Sequence, residues 1–141
     1  MHIDHIVLWV SDQQRSLDFF VHVVGLEPVR ANEFASGETS FPSVRVSDDT
    51  ILDLMDSSKA PGVRAFTGGE AGGALLNHVC LSMTADEYRG LERRLAAQGQ
   101  EVRGGGSGAF GALGAAAQSA YFQDPDGNVL EMRHYAPREH G

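Results

Sequence analysis

The chain has 141 residues, 42% hydrophobic and 21% charged, with 19 acidic against 11 basic side chains and a formal net charge of −8. That size and mixture suit one compact globular domain, or two very small modules sharing a core, and exclude a disordered chain. An acidic chain without clustered Lys and Arg is excluded as a general nucleic-acid binder, because phosphate contacts need those clusters. The single cysteine, Cys80, rules out an internal disulfide and a Cys-rich zinc module. No apolar run nears the roughly 20 residues that span a bilayer, and the first residues lack the order of a signal peptide. The expected location is therefore the cytoplasm, with no membrane partner.

Alternation predicts a first strand over 3–10, with His5, Val7 and Trp9 on one face and Ile6 and Leu8 on the other. A helix follows, because Ser11 and Gln14 have capping-box spacing, Leu17, Phe20, Val21 and Val24 recur at helical period, and Gly25 stands where a helix stops. Three strand-like runs over 26–34, 39–46 and 50–55 are separated by Gly37, Pro42 and the Asp48-Asp49 pair. The stretch "SSKAPGVRAFTGGEAGGA" over 57–74 has small residues and no steady period, and reads as a connector. A strand from Leu75 then places His78, Cys80 and Ser82 on one face. Thr84 and Glu87 form a second capping box, opening a helix with the stripe Tyr88, Leu91 and Leu95 and a stop at Gly99. After a short run over 101–103 come a glycine-rich stretch over 103–117, a strand over 118–123, a turn at "DPDGN" and a last strand over 129–135. The glycine-rich stretch reads first as a loop joining two strands and second as a lid over a ligand cavity. No Gly-Lys-Ser/Thr follows its glycines, which argues against a phosphate-binding loop.

The two halves thus write one phrase twice: strand, helix, three strands. The expected organisation is one domain over 1–141 of class α+β, with module 1 over 1–56, the connector over 57–74 and module 2 over 75–136. "DHIVLWV" and "NHVCLSM" put His5 and His78 at equivalent places, and "ILDLMD" and "VLEMRHY" do the same for Asp53 and Glu131. Each of the four shares a strand face with mostly apolar neighbours, and a carboxylate there is costly unless it is paired, hydrogen-bonded or bound to a metal. Two imidazoles and two carboxylates facing one cavity suit a divalent transition metal with open positions for substrate. A structural histidine or a solvated carboxylate is the ordinary reading of each residue alone, and the repeat is what argues against it. Asp56 is a rival to Asp53, whereas His22 and His134 have no counterpart in the other half.

With "DHIVLWVSDQQRSLDFFVHVVGLEPV", "NHVCLSM" and above all "SAYFQDPDGNVLEMRHY", the chain resembles the vicinal oxygen chelate superfamily along nearly its whole length. That superfamily includes glyoxalase I, bleomycin-binding proteins, extradiol dioxygenases and fosfomycin-resistance enzymes. The resemblance implies two tandem βαβββ modules whose mixed sheets curl into a cup, with metal ligands on the first and last strands of each module. Carried over residue by residue, those ligands are His5, Asp53, His78 and Glu131. The implied cofactor is one divalent transition metal (Ni, Co, Mn, Fe or Zn), and the implied chemistry is that of a glyoxalase-like lyase or isomerase on a small oxygen-bearing molecule. Glu131, and after it Asp53, is then the proton-moving carboxylate. An Fe(II) extradiol-type dioxygenase and a metal-free antibiotic-binding or resistance protein are the alternatives. Trp9 stands where bacterial glyoxalase I has a basic residue that helps hold glutathione, which argues against a glutathione thioester. Trp9 either lines the cup or packs in the core. Arg133, on the face of Glu131, either holds an anionic group of the substrate or pairs with a nearby carboxylate. Cys80 is expected to be a small buried filler. The small relatives also imply a homodimer whose metal sites are shared across the interface.

Overall fold

Residues 3–61, 76 and 78–137 are described by the computed structural model of the chain. The start of the second half at Leu75, Asn77 and most of the expected connector lie outside the described residues. The chain divides into two compact units, Met1–Asn77 and His78–Gly141.

The first unit begins with β1 (His5–Val10), whose alternation is real: Leu8 and Val10 are buried, while His5 and Val7 are exposed and Trp9 is half-buried. Helix α1 (Gln13–Asp18) follows, running on as a π-helical stretch over Phe19–Val24. Its cap is Asp12, whose carboxylate accepts from the Arg15 N–H, and not Ser11, whose hydroxyl accepts from the Arg15 guanidinium. Both residues are competent caps, and the shift by one is decided by which oxygen reaches an orphan N–H. Gly25, at φ 91°, ends the helix as expected. The expected strand over 26–34 is not formed as a whole. It is divided into β2 (Glu27–Val29) and a short helix α2 (Ala31–Ala35), because Arg30 takes a left-handed backbone (φ 59°) that breaks the extension. Strands β3 (Ser43–Ser47) and β4 (Thr50–Asp56) complete a sheet of order β1-β4-β3-β2, and a 3-10 turn over Ser57–Lys59 follows.

The second unit repeats this with β5 (Val79–Ser82), helix α3 (Ala85–Ala97), β6 (Arg103–Gly106), β9 (Gln118–Gln123) and β10 (Val129–His134), in sheet order β5-β10-β9-β6. Its addition is a two-stranded hairpin, β7 (Phe110–Gly111) with β8 (Gly114–Ala115), inside the glycine-rich stretch. In both units the first and last strands pair in parallel and the remaining pairs are antiparallel. The fold is thus α+β, two four-stranded mixed sheets of one topology.

Each sheet buries one face under its own helix. Leu52 and Leu54 of β4 join Leu17 and Phe20 in the first core, and Leu130 and Met132 of β10 join Tyr88, Leu91 and Leu95 of α3 in the second. Each such side chain contributes on the order of 1.5–3 kcal/mol by leaving water. Thr84 caps α3 in a full capping box with Glu87, and Gly99, at φ 67°, sits just past its end. Because side chains alternate, the face away from the helix carries the polar residues. Among the described residues no helix is long and apolar enough to cross a membrane.

Candidate functional site

The register of the two sheets aligns the four candidate residues. Asp53 lies opposite Val7, two residues after His5, and Glu131 lies opposite Cys80, two residues after His78. In a parallel pair, facing residues share a side of the sheet, so each unit sets its histidine and its carboxylate on its helix-free face.

In the first unit, His5 is half exposed, and its Nδ1 lies 2.6 Å from Asp4 Oδ1. That contact raises the His5 pKa, burial opposes it, and the charges of Asp53 and Asp4 add to the rise. Asp53 is only 7% exposed, and its Oδ1 accepts from the Ser43 hydroxyl at 2.6 Å. Trp9 sits on the same face of β1. Asp56, the rival to Asp53, caps the following 3-10 turn by accepting from the Ser58 N–H.

In the second unit the arrangement is denser. Glu131 is 2% exposed, and its two oxygens are divided: Oε1 accepts from Arg133 Nη2 at 2.5 Å, and Oε2 lies 3.1 Å from His78 Nε2. Burial alone pushes the Glu131 carboxyl up, but hydrogen bonding and charge from Arg133, with help from Cys80 and His78, hold it below its ordinary value. Arg133 is itself buried, and its Nη1 is 3.4 Å from the Tyr135 hydroxyl and 3.5 Å from the Ala109 carbonyl. Its pKa is raised by Tyr135 and then by Glu131, against burial. Of the two roles open to Arg133, the structure therefore displays pairing with a carboxylate.

His78, Cys80, Tyr121, Glu131, Arg133 and Tyr135 line a cavity of about 400 Å³, with Ala109 and Ala112 of the glycine-rich stretch as one wall. That stretch is thus part of the cavity, held there by the Ala109 carbonyl and by the Leu113 N–H donating to the Tyr135 hydroxyl. The expectation for Cys80 needs correction. It is exposed rather than a buried filler, because its side of β5 faces away from α3; partial burial of its thiol, and after it the Glu131 charge, push its pKa up. His134 takes the opposite face of β10, with its ring 5.1 Å from that of Tyr88. Sequence reasoning did not single out Tyr121 or Tyr135, and their only signal was their register and alternation relative to Glu131.

Among the described residues no cluster of three or more His, Cys, Asp or Glu is gathered. The donor chemistry of the second unit nonetheless fits a metal, since imidazole and carboxylate lie together there on one face. A separation of 3.1 Å between His78 Nε2 and Glu131 Oε2 is that of two donors on a single ion with bonds of roughly 2.1 Å.

A repeated βαβββ topology with a histidine and a carboxylate in register defines a class, and residues 2–132 match it: the chain belongs to the Glyoxalase/Bleomycin resistance protein/Dioxygenase superfamily. Among its curated relatives is a lactoylglutathione lyase of Neisseria meningitidis serogroup B, 26% identical over 132 residues that cover 94% of this chain and 89% of that protein. Among solved structures, a glyoxalase/dioxygenase from Nostoc punctiforme superposes with a TM-score of 0.70 at 21% identity, covering 96% of this chain and 92% of the other. TnmS3, an antibiotic binding protein from Streptomyces sp. CB03234, does so with a TM-score of 0.63 at 22% identity, covering 96% of this chain and 97% of the other. At those identities the two structures bear on the fold alone.

Proposed function

We propose that the chain is a metal-dependent enzyme acting on a small oxygen-bearing molecule by glyoxalase-like lyase or isomerase chemistry. The observation that carries this reading is the His78–Glu131 pair, with donor atoms 3.1 Å apart in a cavity of about 400 Å³. His5, Asp53, His78 and Glu131 are the residues that would hold a divalent transition metal (Ni, Co, Mn, Fe or Zn). When bound, such an ion supplies Lewis acidity to a substrate oxygen. Glu131 is the carboxylate that moves the proton, with Asp53 second. The Arg133 contact keeps Glu131 ionised, the state a proton acceptor needs, at some cost in basicity. The lactoylglutathione lyases among the relatives support lyase chemistry, while Trp9 argues against glutathione as the carrier. Trp9 is assigned to substrate binding, and Arg133 to the cavity wall that a substrate would meet while it pairs with Glu131, in a cytoplasmic protein.

The test is calorimetric titration of chelator-stripped protein with Ni(II), Co(II), Mn(II), Zn(II) and, without oxygen, Fe(II). About one ion per chain at micromolar affinity or better is expected, with a loss of tenfold or more in His78→Ala. If wild type binds no ion more tightly than His78→Ala does, the reading fails. Loaded protein should then turn over α-oxo substrates, and oxygen uptake with catechols would instead promote the dioxygenase. A second reading, a metal-free binding protein, is favoured by one observation: Arg133 already compensates Glu131 without an ion. We further propose a two-fold homodimer with His5 and Asp53 of one subunit facing His78 and Glu131 of the other. A sedimentation-equilibrium mass of one chain would break that model.

A further inference from the structure

Arg133 offers more than a counter-charge. A guanidinium can clamp both oxygens of a carboxylate through two parallel N–H groups, and this is its strongest geometry. Here it does not. Only Nη2 reaches Glu131, at Oε1, while the buried Nε has no partner among the described residues. Nη1 is turned toward the Tyr135 hydroxyl and the Ala109 carbonyl, so the side chain is held from the far side while it takes one oxygen of Glu131. The second oxygen, Oε2, is thereby left to the His78 imidazole.

We propose that Arg133 is a positioning residue that makes Glu131 a one-oxygen donor, fixing Oε2 beside His78 Nε2 for a transition metal. This rests on the metal-dependent reading above. A carboxylate donating one oxygen beside an imidazole suits a borderline ion, whereas a carboxylate donating both oxygens suits a hard ion such as Ca(II). Arg133 thus contributes selectivity as well as orientation.

The proposal makes a prediction about sign. If Arg133 were only a neighbouring cation, removing it would relieve repulsion and tighten metal binding. If it positions Glu131, removing it weakens binding by about 10–100-fold, the usual effect of losing a group that orients a ligand. The experiment titrates chelator-stripped wild type, Arg133→Met and Arg133→Lys with Co(II), reading affinity and the visible d–d spectrum, with Ca(II) as competitor and folding checked by circular dichroism. The expected result is weaker Co(II) binding in Arg133→Met, partial rescue in Arg133→Lys, a paler spectrum in Arg133→Met as coordination number rises, and competition by Ca(II) only in that variant. Tighter or unchanged Co(II) binding in Arg133→Met overturns the proposal. Should Arg133→Met fail to fold, Arg133→Lys decides, since it keeps the charge and loses the planar donor: wild-type affinity and spectrum there overturn the proposal too. Absence of Co(II) binding by wild type sinks the metal-dependent reading and this inference with it, whereas binding that depends on His78 but not on Arg133 sinks this inference alone.

Discussion

The two units place a histidine and a carboxylate at matching registers, yet they stabilise the carboxylate in opposite ways. Asp53 leans on a neutral hydroxyl, that of Ser43 on the next strand. Glu131 has Tyr121 at the place of Ser43 and draws instead on a cation two residues along its own strand, Arg133, where the first unit has Met55. Trp9 and Ser82 differ in the same way, each facing one of those two residues. Repetition of the backbone therefore keeps the positions of the histidine and the carboxylate, while the carboxylate's electrostatics are set by the residue two places on and the residue across the ladder. The second unit carries a charge-compensated site, and the first a hydrogen-bonded one.

The strongest way to break this comparison is to truncate each carboxylate. Glu131→Ala leaves the buried Arg133 guanidinium uncompensated, and should cost about 3–5 kcal/mol in urea denaturation. Asp53→Ala leaves only a neutral hydroxyl behind, and should cost about 1 kcal/mol. Equal costs would refute the distinction. Acid titration sharpens it: the folded Glu131 pKa lies below its ordinary 4.5, so its contribution is fully present above that value and is lost as the pH falls through the folded pKa. The acid limb of the wild-type stability curve should accordingly be steeper than that of Glu131→Ala below pH 4.5.

The next contrast lies in the glycines. A Cβ on Gly105, at φ +91°, would stand 1.6 Å from the Ser119 carbonyl oxygen of the neighbouring strand. Gly105→Ala should cost about 3 kcal/mol or more, and should disturb the cavity wall that follows it. Gly37 in the first unit has a similar φ of +79° but open space around it, and Gly37→Ala should cost about 1 kcal/mol. Matching melting temperatures for the two variants would show that β6 does not approach β9 this closely. The last contrast lies at Ser43. Ser43→Ala strands a buried carboxylate where Asp53→Ala strands a hydroxyl, so it should be the worse of the two, at about 2 kcal/mol.

The topology was legible because hydrophobic period and turn chemistry agree in both halves: β9 occupies 118–123 as read, and the Thr84 box opens α3 at its expected place. The four ligating candidates were legible through equivalence of place, since alternation alone puts them on the helix-free faces. Three features escaped a reading of this kind. Arg30 adopts a positive φ that its residue type does not announce, which turns the expected strand over 26–34 into β2 and α2. The glycines at 104, 105, 106 and 108 all take positive φ, so their stretch is a shaped edge strand and hairpin, where composition alone suggests a loop. Cys80 depends on what lies across the face, and its side of β5 turns away from α3.

The parallel pairing of first and last strands has a consequence for synthesis. β1 waits for β4, but β4 ends at Asp56, so the β1-β4-β3-β2 ladder draws on no strand of the second unit and can close before β10 has been translated. At about 5–20 residues per second, β10 follows several seconds later. During that interval the ribosome carries one finished sheet whose helix-free face bears Val7, Trp9 and Met55, a surface that a chaperone or another nascent chain on the same message meets before the second sheet exists.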